Sequence, residues 1–262
     1  SKSGNTTETM ANASVLLSSL EDVFSKNIYG QTIFIGNKSN SLLQTGKKLG
    51  CHILSMPEVI GGRYSVFTSV GIMPLVLLGH DVEAILSGVQ DSIKEPFEKV
   101  SAEGAAKLYS YMKKGHKNIN FFTFDTRLVR LGKWYRQLLA ESIGKEFTKK
   151  KTKNNLGLIP TISTPVELHS IGQLYFSGFK GVYTDFVSFD DGVYDYELNK
   201  KSKLAGKLGG KSMQEIHTAI YGGVIGAYQD RELPYRATLF DKDLDYSLGL
   251  FMGMRMLETM YL

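Results

Sequence analysis

The stretch NINFFTF at residues 118–124 predicts a strand, and the helical pattern from Arg127 to Ile143 that follows it stops at Gly144. The same order of strand and helix continues downstream. Strands are predicted at 156–162, 182–189 and 235–240, and helices at 169–176, 212–229 and 246–262. Alternating strands and helices are typical of α/β proteins with mainly parallel sheets, so the sequence predicts that fold class.

The residues before this stretch follow the same pattern. Strands are predicted at 31–36 and 51–54, and helices at 10–26, 39–49, 63–78, 82–86 and 95–114. Pro74 is expected to kink or divide the helix at 63–78, and Gly115 is suited to end the helix at 95–114. We therefore predict two successive α/β domains, residues 1–115 and 116–262.

Composition limits the class of protein. The 262 residues are 42% hydrophobic and 22% charged, which is ordinary for one large or two medium folded domains. The longest apolar run, 70–79, is too short to cross a bilayer, so no membrane partner is expected. The single cysteine, Cys51, excludes an internal disulfide framework and fits a reducing compartment, so we expect a cytoplasmic protein.

The net charge of +5 does not indicate a nucleic-acid partner. Much of the excess lies in one run, Lys149 to Lys153, without the interleaved aromatic residues of a single-strand binding surface. This run is expected to be a solvated loop. Four of the five histidines have no regular spacing relative to His169, and no cluster of Cys or Asp accompanies them. No metal site is therefore predicted.

A run of small polar residues, Ser1 to Thr9, stands directly before the first predicted helix. Its hydroxyl groups, its lysine and the free N–H groups of a helix N-terminus suit a phosphate group. The alternative is an ordinary Ser/Thr-rich helix cap. No strand precedes this loop and the sequence ends in the apolar stretch 252–262, so we expect a piece of a longer protein.

Polar residues also occur where strands lead into helices, the usual ligand position in parallel α/β sheets. Gly61 and Gly62 allow close backbone approach, and Arg63 presents a fixed positive fork to an oxyanion. The alternative for Arg63 is a surface salt bridge. His169 begins a predicted helix after a strand, where the alternative is a capping or packing residue.

Gln137 and Glu141 are four residues apart, so they share one face of the helix predicted at 127–143. A carboxylate near the end of that helix could act as a base. The alternative makes Glu141 an exposed partner of Lys145, four residues further on. The residues themselves leave both possibilities open.

The order of these motifs resembles the phosphoglucose isomerase family, whose members are built from two sugar-isomerase (SIS) domains. The resemblance extends over most of the chain and is carried by four ordered motifs, which are Ser1-Lys2-Ser3-Gly4-Asn5-Thr6, Gly61-Gly62-Arg63-Tyr64-Ser65, Gln137 with Glu141-Ser142-Ile143-Gly144-Lys145, and His169-Ser170 with Gln173-Leu174. It implies two SIS-type α/β/α sandwich domains with mainly parallel sheets, the first incomplete at its N-terminus and the second truncated at its C-terminus.

The resemblance also implies an activity, the interconversion of glucose 6-phosphate and fructose 6-phosphate through a cis-enediol, without a metal or organic cofactor. Glu141 would be the base, Arg63 would stabilise the charge of the intermediate, and His169 would assist ring opening. Gln137 would help position the substrate, and Glu8 would support the histidine. The phosphate would be held by the residues of the first motif, which are Ser1, Lys2, Ser3, Gly4, Asn5 and Thr6.

In this family the histidine enters from the neighbouring subunit, so the resemblance implies a homodimer with His169 donated across the interface. Three departures are visible, and the first is the absence of the Gly-Ser turn that lies upstream of the first motif in relatives. The chain stops before the lysine-bearing segment of the family, and Leu168 stands where a glutamine often precedes the histidine. The fragment alone is therefore expected to be inactive. The rival functions are a dual glucose/mannose-6-phosphate isomerase and a non-catalytic SIS module that binds a phosphosugar.

Overall fold

Strands and helices alternate along the chain as the sequence predicts. The computed structural model describes residues 4, 6–24, 28–38, 40–154, 157–189, 195–240 and 243–262. In order, the elements are α1 (Thr7–Phe24), β1 (Ile33–Gly36), α2 (Ser41–Lys48), β2 (His52–Ser55), α3 (Ser69–Leu77), α4 (Val82–Ser92), α5 (Phe97–Lys113), β3 (Asn118–Thr123), α6 (Val129–Ile143), β4 (Ile159–Ser163), β5 (Val182–Phe189), α7 (Met213–Asp230), β6 (Tyr235–Phe240) and α8 (Leu244–Tyr261).

The chain divides into two compact units, residues 1–82 and 83–262. The division falls before α4 and α5 because α5 packs against α8 in the second unit. The boundary between residues 115 and 116, which the sequence pattern predicts for two α/β domains, stays a prediction. In the described parts of the chain, no helix is both long and apolar enough to cross a membrane.

Four parallel strands form the sheet of residues 83–262, in the order β4-β3-β5-β6. Every residue of β5 is buried, as expected for an inner strand covered on both faces. Phe121 of β3 contacts Tyr135 of α6 and Phe251 of α8, whereas the neighbouring Phe122 faces the cluster that contains Tyr228 of α7. Because side chains alternate along a strand, α6 and α8 cover one face of the sheet and α7 covers the other.

Residues 1–82 form a smaller sheet of two parallel strands, β1 and β2. Helix α2 packs on β1, where Gly46 lies directly against the ring of Phe34. Asn40 caps α2, since its Oδ1 accepts a hydrogen bond of 2.7 Å from the N–H of Leu42. Helix α1 has no buried residue.

The predicted α/β class with parallel sheets is confirmed, and three local predictions need correction. The helix predicted at 63–78 is divided at Thr68, which is extended, and Pro74 lies inside α3. The cause is local, because the hydroxyl of Thr68 donates to the carbonyl of Ser65 at 2.7 Å and ends a 3₁₀ turn there. In place of the strand predicted at 156–162, the structure has β4 at Ile159–Ser163.

The third correction concerns the helix predicted to begin at His169. A 3₁₀ turn, Pro165–His169, comes first and a π-helical turn, Leu174–Gly178, follows. The carboxylate of Glu167 accepts hydrogen bonds from the N–H and the hydroxyl of Thr164, at 2.6 and 2.8 Å. This capping box starts the turn at Pro165, four residues before His169.

Candidate functional site

The polar loop at the start of the chain leads directly into α1. Ser1, Lys2, Ser3 and Asn5 lie outside the described residues. Gly4 has a φ of +74°, and a side chain there would overlap the Asn40 side chain that caps α2. The carbonyl of Thr6 accepts the first helical bond, from the N–H of Met10 at 3.0 Å, so the loop does end at a helix N-terminus.

Glu8 lies in the first turn of α1 and is exposed. A carboxylate at this position interacts favourably with the positive end of the helix dipole. Its predicted role as support for a histidine is not tested by its own surroundings and stays a prediction.

Arg63 lies in a 3₁₀ turn, Gly62–Phe67, that follows β2. Its side chain is half-buried, with the guanidinium carbon 5.0 Å from the centre of the Tyr64 ring. The hydroxyl of Ser69 donates to the carbonyl of Ser55 at 2.8 Å, which ties the start of α3 to the end of β2. Arg63 therefore belongs to a segment held at the carboxyl end of a parallel strand, the usual position of ligand groups.

Gln137 and Glu141 share a face of α6, as their spacing predicts. Both are exposed, and Nε2 of Gln137 donates to Oε1 of Glu141 at 2.9 Å. The amide thus holds one carboxylate oxygen in place. The other side of the helix carries buried residues, including Leu131, Tyr135 and Leu138.

His169 is the last residue of the 3₁₀ turn that follows β4. Its side chain is exposed, which excludes a packing role in the core of this chain. The turn itself is fixed by the capping box of Thr164 and Glu167, so the backbone that carries the exposed histidine has a defined conformation.

The structure thus brings Gln137 and Glu141 into direct contact. Arg63 and Glu8 belong to residues 1–82, whereas Gln137, Glu141 and His169 belong to residues 83–262. The assembly of these residues into one site stays a prediction. Within the described ranges, no group of three or more His, Cys, Asp and Glu is arranged to hold a metal ion.

Sequence reasoning missed one group of charged residues, which is buried between the sheet and its helices. We call it the Tyr135 cluster, and its members are Tyr135, Asp185, Arg236, Arg255 and Glu258. Asp185 and Glu258 are fully buried, and Arg236 bonds to both, with Nη2 at 2.6 Å from Asp185 Oδ2 and Nη1 at 2.6 Å from Glu258 Oε2. Arg255 Nη1 donates to Glu258 Oε2 at 2.8 Å.

The environment shifts the pKa of Asp185 and the pKa of Tyr135. Burial would raise the pKa of Asp185, but the charges of Arg236 and Arg255 lower it below its ordinary value. Burial, followed by the charge of Glu258, raises the pKa of Tyr135 well above its ordinary value, so the phenol stays protonated. A signal was present in the sequence, namely an aspartate in the middle of the apolar strand VYTDFVSF.

The comparison with protein families agrees with the order of the motifs. The sequence model described as Phosphoglucose isomerase matches residues 1–201. Among curated proteins, the glucose-6-phosphate isomerase of Clostridium tetani is 30% identical over 247 residues, 89% of this chain and 53% of that protein. The glucose-6-phosphate isomerase of Leuconostoc mesenteroides is 28% identical over 260 residues, 95% of this chain and 56% of that protein.

Solved structures share the fold. A hypothetical protein from Thermus thermophilus gives a TM-score of 0.89 at 24% identity, over 100% of this chain and 64% of that chain. A glucose-6-phosphate isomerase from Chlamydia trachomatis gives 0.78 at 17% identity, over 100% of this chain and 53% of that chain. These likenesses support the SIS-type α/β/α fold.

The chain spans about half the length of the curated relatives it matches. The family match itself covers residues 1–201, well over half of the 262 residues. This chain therefore belongs to the phosphoglucose isomerase family.

Proposed function

We propose that this chain contributes the catalytic carboxylate of an enzyme that interconverts glucose 6-phosphate and fructose 6-phosphate through a cis-enediol. The observation that carries the proposal is the pair on α6. Glu141 stands on the exposed face of a helix whose other face is buried, and Gln137 donates to its carboxylate. The family match supplies the substrate class.

The chemistry requires a base that both removes and returns a proton next to a carbonyl group. Such a proton is weakly acidic, so the base must be held in place and the oxyanion of the intermediate must be stabilised by a positive group. In this proposal Glu141 moves the proton between C2 and C1. Arg63 stabilises the oxyanion, and His169, supported by Glu8, assists opening of the sugar ring.

The sugar phosphate would bind to the loop before α1, through Ser1, Lys2, Ser3, Gly4, Asn5 and Thr6. A dianion there gains from the free N–H groups and the positive end of the helix dipole. Phosphate binding away from C1 and C2 supplies energy that holds the open-chain substrate against the base. Gln137, which donates to one oxygen of Glu141, would help position the substrate.

The remaining proposals concern the whole enzyme. It would act in the cytoplasm, in glycolysis and gluconeogenesis, as a homodimer in which His169 is donated to the partner's site. Since the histidine would then come from a second subunit and the chain spans about half of its relatives, the chain by itself is expected to show little or no turnover.

The decisive experiment changes the base and nothing else. Glu141→Gln, made in the full-length protein, removes the proton acceptor and keeps the shape of the side chain. We expect turnover to fall by at least about a hundredfold, the lower end of the effect of a positioned base, with hexose phosphate binding retained. The matched control is Glu103→Gln, an exposed carboxylate on α5, which is expected to leave turnover unchanged.

Two further results would redirect the proposal. Unaltered turnover in Glu141→Gln would remove Glu141 as the base, and a protein that binds the phosphosugar without turning it over would be a non-catalytic SIS module. Turnover of mannose 6-phosphate comparable to that of glucose 6-phosphate would make the enzyme a dual isomerase. A product formed in D₂O that carries deuterium on C1 or C2 would support the enediol route.

A further inference from the structure

Helix α6 joins the exposed pair of Gln137 and Glu141 to the buried Tyr135 cluster. Tyr135 is only 1% exposed and lies on the side of the helix that faces the sheet. We propose that Tyr135 is a positioning residue, whose buried hydroxyl fixes α6 and thereby fixes the carboxylate of Glu141. The inference rests on the proposed role of Glu141 as the base.

The hydroxyl of Tyr135 is held by two charged groups. It donates to Oε1 of Glu258 at 3.2 Å and accepts from Nη2 of Arg236 at 3.1 Å. The same Nη2 also donates to Oδ2 of Asp185 at 2.6 Å. The phenol thus connects α6 directly to Glu258 on α8 and to Arg236 on β6, and through Arg236 it is linked to Asp185 on β5.

The partners of Tyr135 are themselves fixed by charge. Two carboxylates and two guanidiniums share the cluster, and Arg255 completes it with Nη1 at 2.8 Å from Glu258 Oε2 and Nε at 3.5 Å from Asp185 Oδ2. Asp185 and Glu258 are fully buried, so none of these groups can turn to water without leaving a charge unpaired. In surroundings of low polarity the hydrogen bonds are strong and directional.

The apolar contacts of α6 do not provide this kind of restraint, and one further polar contact, from Nδ2 of Asn154 to the carbonyl of Ile143 at 2.9 Å, lies at the last residue of the helix. Leu131 and Leu138 pack on the sheet through apolar surface, and Gly132 lies against the ring of Phe121. Apolar packing holds the helix down but has no preferred direction, so it resists a small rotation or slide less than a hydrogen bond does. A displacement of about 1 Å at a reacting group can cost a hundredfold in rate, which is why the restraint matters for a base.

A purely structural role predicts a different outcome. If the Tyr135 cluster only stabilised the fold, loss of the phenol hydroxyl would lower the melting temperature and leave the turnover of the folded enzyme unchanged. If it positions α6, the same loss lowers kcat in the folded enzyme much more than it changes KM, because most of the predicted substrate-binding groups lie in the loop before α1.

The experiment compares two buried tyrosines in the full-length protein. Tyr135→Phe removes the hydroxyl on α6. The control, Tyr228→Phe, removes an equally buried hydroxyl on α7, which lies 2.8 Å from Oγ1 of Thr184 on the opposite face of the sheet. The measurements are kcat and KM for both hexose phosphates, the melting temperature, and hydrogen–deuterium exchange of the backbone amides of Val129–Ile143.

We expect both variants to fold with similar melting temperatures. Tyr135→Phe should lower kcat by about tenfold or more, with KM within about twofold, and should speed amide exchange in α6. Tyr228→Phe should change neither. Equal kcat in the two variants, in an enzyme that Glu141→Gln inactivates, overturns this inference and leaves the proposed function intact.

Failure of the proposed function has a different signature, namely full turnover in Glu141→Gln. In that case the amide exchange decides whether Tyr135 fixes α6. Faster exchange in α6 for Tyr135→Phe than for Tyr228→Phe supports the restraint, and equal exchange overturns it.

Discussion

The two parallel sheets of this chain differ in how deeply they are buried. β1 and β2, in residues 1–82, contain one buried residue between them, Gly36, whereas all of β5 in residues 83–262 is buried. Both sheets carry predicted site residues at the carboxyl ends of their strands. In this chain, the predicted ligand group of residues 1–82 thus follows a shallow sheet, whereas that of residues 83–262 follows a closely packed one.

A pair of glycines makes the difference concrete. Gly46 on α2 and Gly132 on α6 each lie against a phenylalanine of the neighbouring strand, Phe34 and Phe121 respectively. Phe34 is half-buried and so partly open to solvent, but Phe121 is 1% exposed and packed on Tyr135. The same local contact is therefore more exposed in residues 1–82 than in residues 83–262, so we expect it to be softer in the first unit and more rigid in the second.

The chain supplies a reporter for each unit. Its single tryptophan, Trp134, lies on α6, and its single cysteine, Cys51, lies beside β2. Cys51 is buried, and burial raises the pKa of its thiol. Trp134 fluorescence therefore follows unfolding of residues 83–262, and the rate of thiol labelling at Cys51 follows opening of residues 1–82.

The largest effect is expected in the Tyr135 cluster. Glu258→Gln leaves two guanidiniums against one buried carboxylate, so it should lower the free energy of unfolding of residues 83–262 by about 3–5 kcal/mol. Urea denaturation followed by Trp134 fluorescence measures this loss. Glu103→Gln, on the exposed side of α5, is the control and should stay within about 0.5 kcal/mol of the parent. A loss below about 1 kcal/mol in Glu258→Gln would contradict the inference that the Tyr135 cluster holds residues 83–262 rigidly.

The second effect tests the rigid glycine contact. Gly132→Ala places a methyl group against the ring of Phe121 and close to Ile162. Overpacking costs about 1–3 kcal/mol, and the better helix propensity of alanine returns up to about 1, so a net loss of about 1–2 kcal/mol is expected. The Trp134 transition should shift to lower urea. An unchanged midpoint would show that the core of this unit can adjust.

The third effect is a loss of folding stability at alkaline pH, and it follows from the raised pKa of Tyr135. A raised pKa favours the protonated phenol in the folded state, so its stability contribution is complete below the ordinary value of 10.0 and is lost as pH rises above it. At pH 10.5 this loss is about 0.8 kcal/mol for one group. Tyr135→Phe should show a shallower alkaline limb than the parent when urea midpoints are compared between pH 9 and 10.5. If the urea midpoints of the parent and of Tyr135→Phe fell equally with pH, the raised pKa of Tyr135 would be contradicted.

The smallest effect is expected in the soft unit. Gly46→Ala places a methyl group against the ring of Phe34, more closely than Gly132→Ala does against Phe121, but Phe34 is half-buried, and the helix propensity of alanine offsets part of the cost. The net change should stay within about 0.5 kcal/mol, measured by the labelling rate of Cys51. A loss as large as that of Gly132→Ala would remove the difference between the two units.

The regular elements were predictable because their signals are local. The strands at 182–189 and 235–240 were predicted with the bounds that the structure has, since both are short β-rich runs between turn residues. The contact of Gln137 with Glu141 follows from helical spacing alone. The turn at Pro165 was also readable, because Thr164 and Glu167 have the spacing of a capping box.

The remainder depends on contacts that sequence spacing does not encode. Arg255 and Glu258 stand in an otherwise apolar helix, and their i,i+3 spacing alone suggests a surface pair. Their burial depends on Asp185 of β5 and Arg236 of β6, which form ion pairs with them from the sheet. The division of the helix at Thr68 was missed because a single side-chain hydrogen bond outweighed the apolar periodicity.

The bond between Tyr135 and Glu258 also sets an order in time. The two residues are 123 positions apart, so during synthesis α6 leaves the ribosome long before its partner on α8 exists. Contacts this distant form late, after the entropy of closing the intervening chain has been overcome. The helix that carries the proposed base should therefore reach its final alignment only when α8 docks, and a ribosome stalled before residue 258 would hold a chain with a formed but unaligned α6.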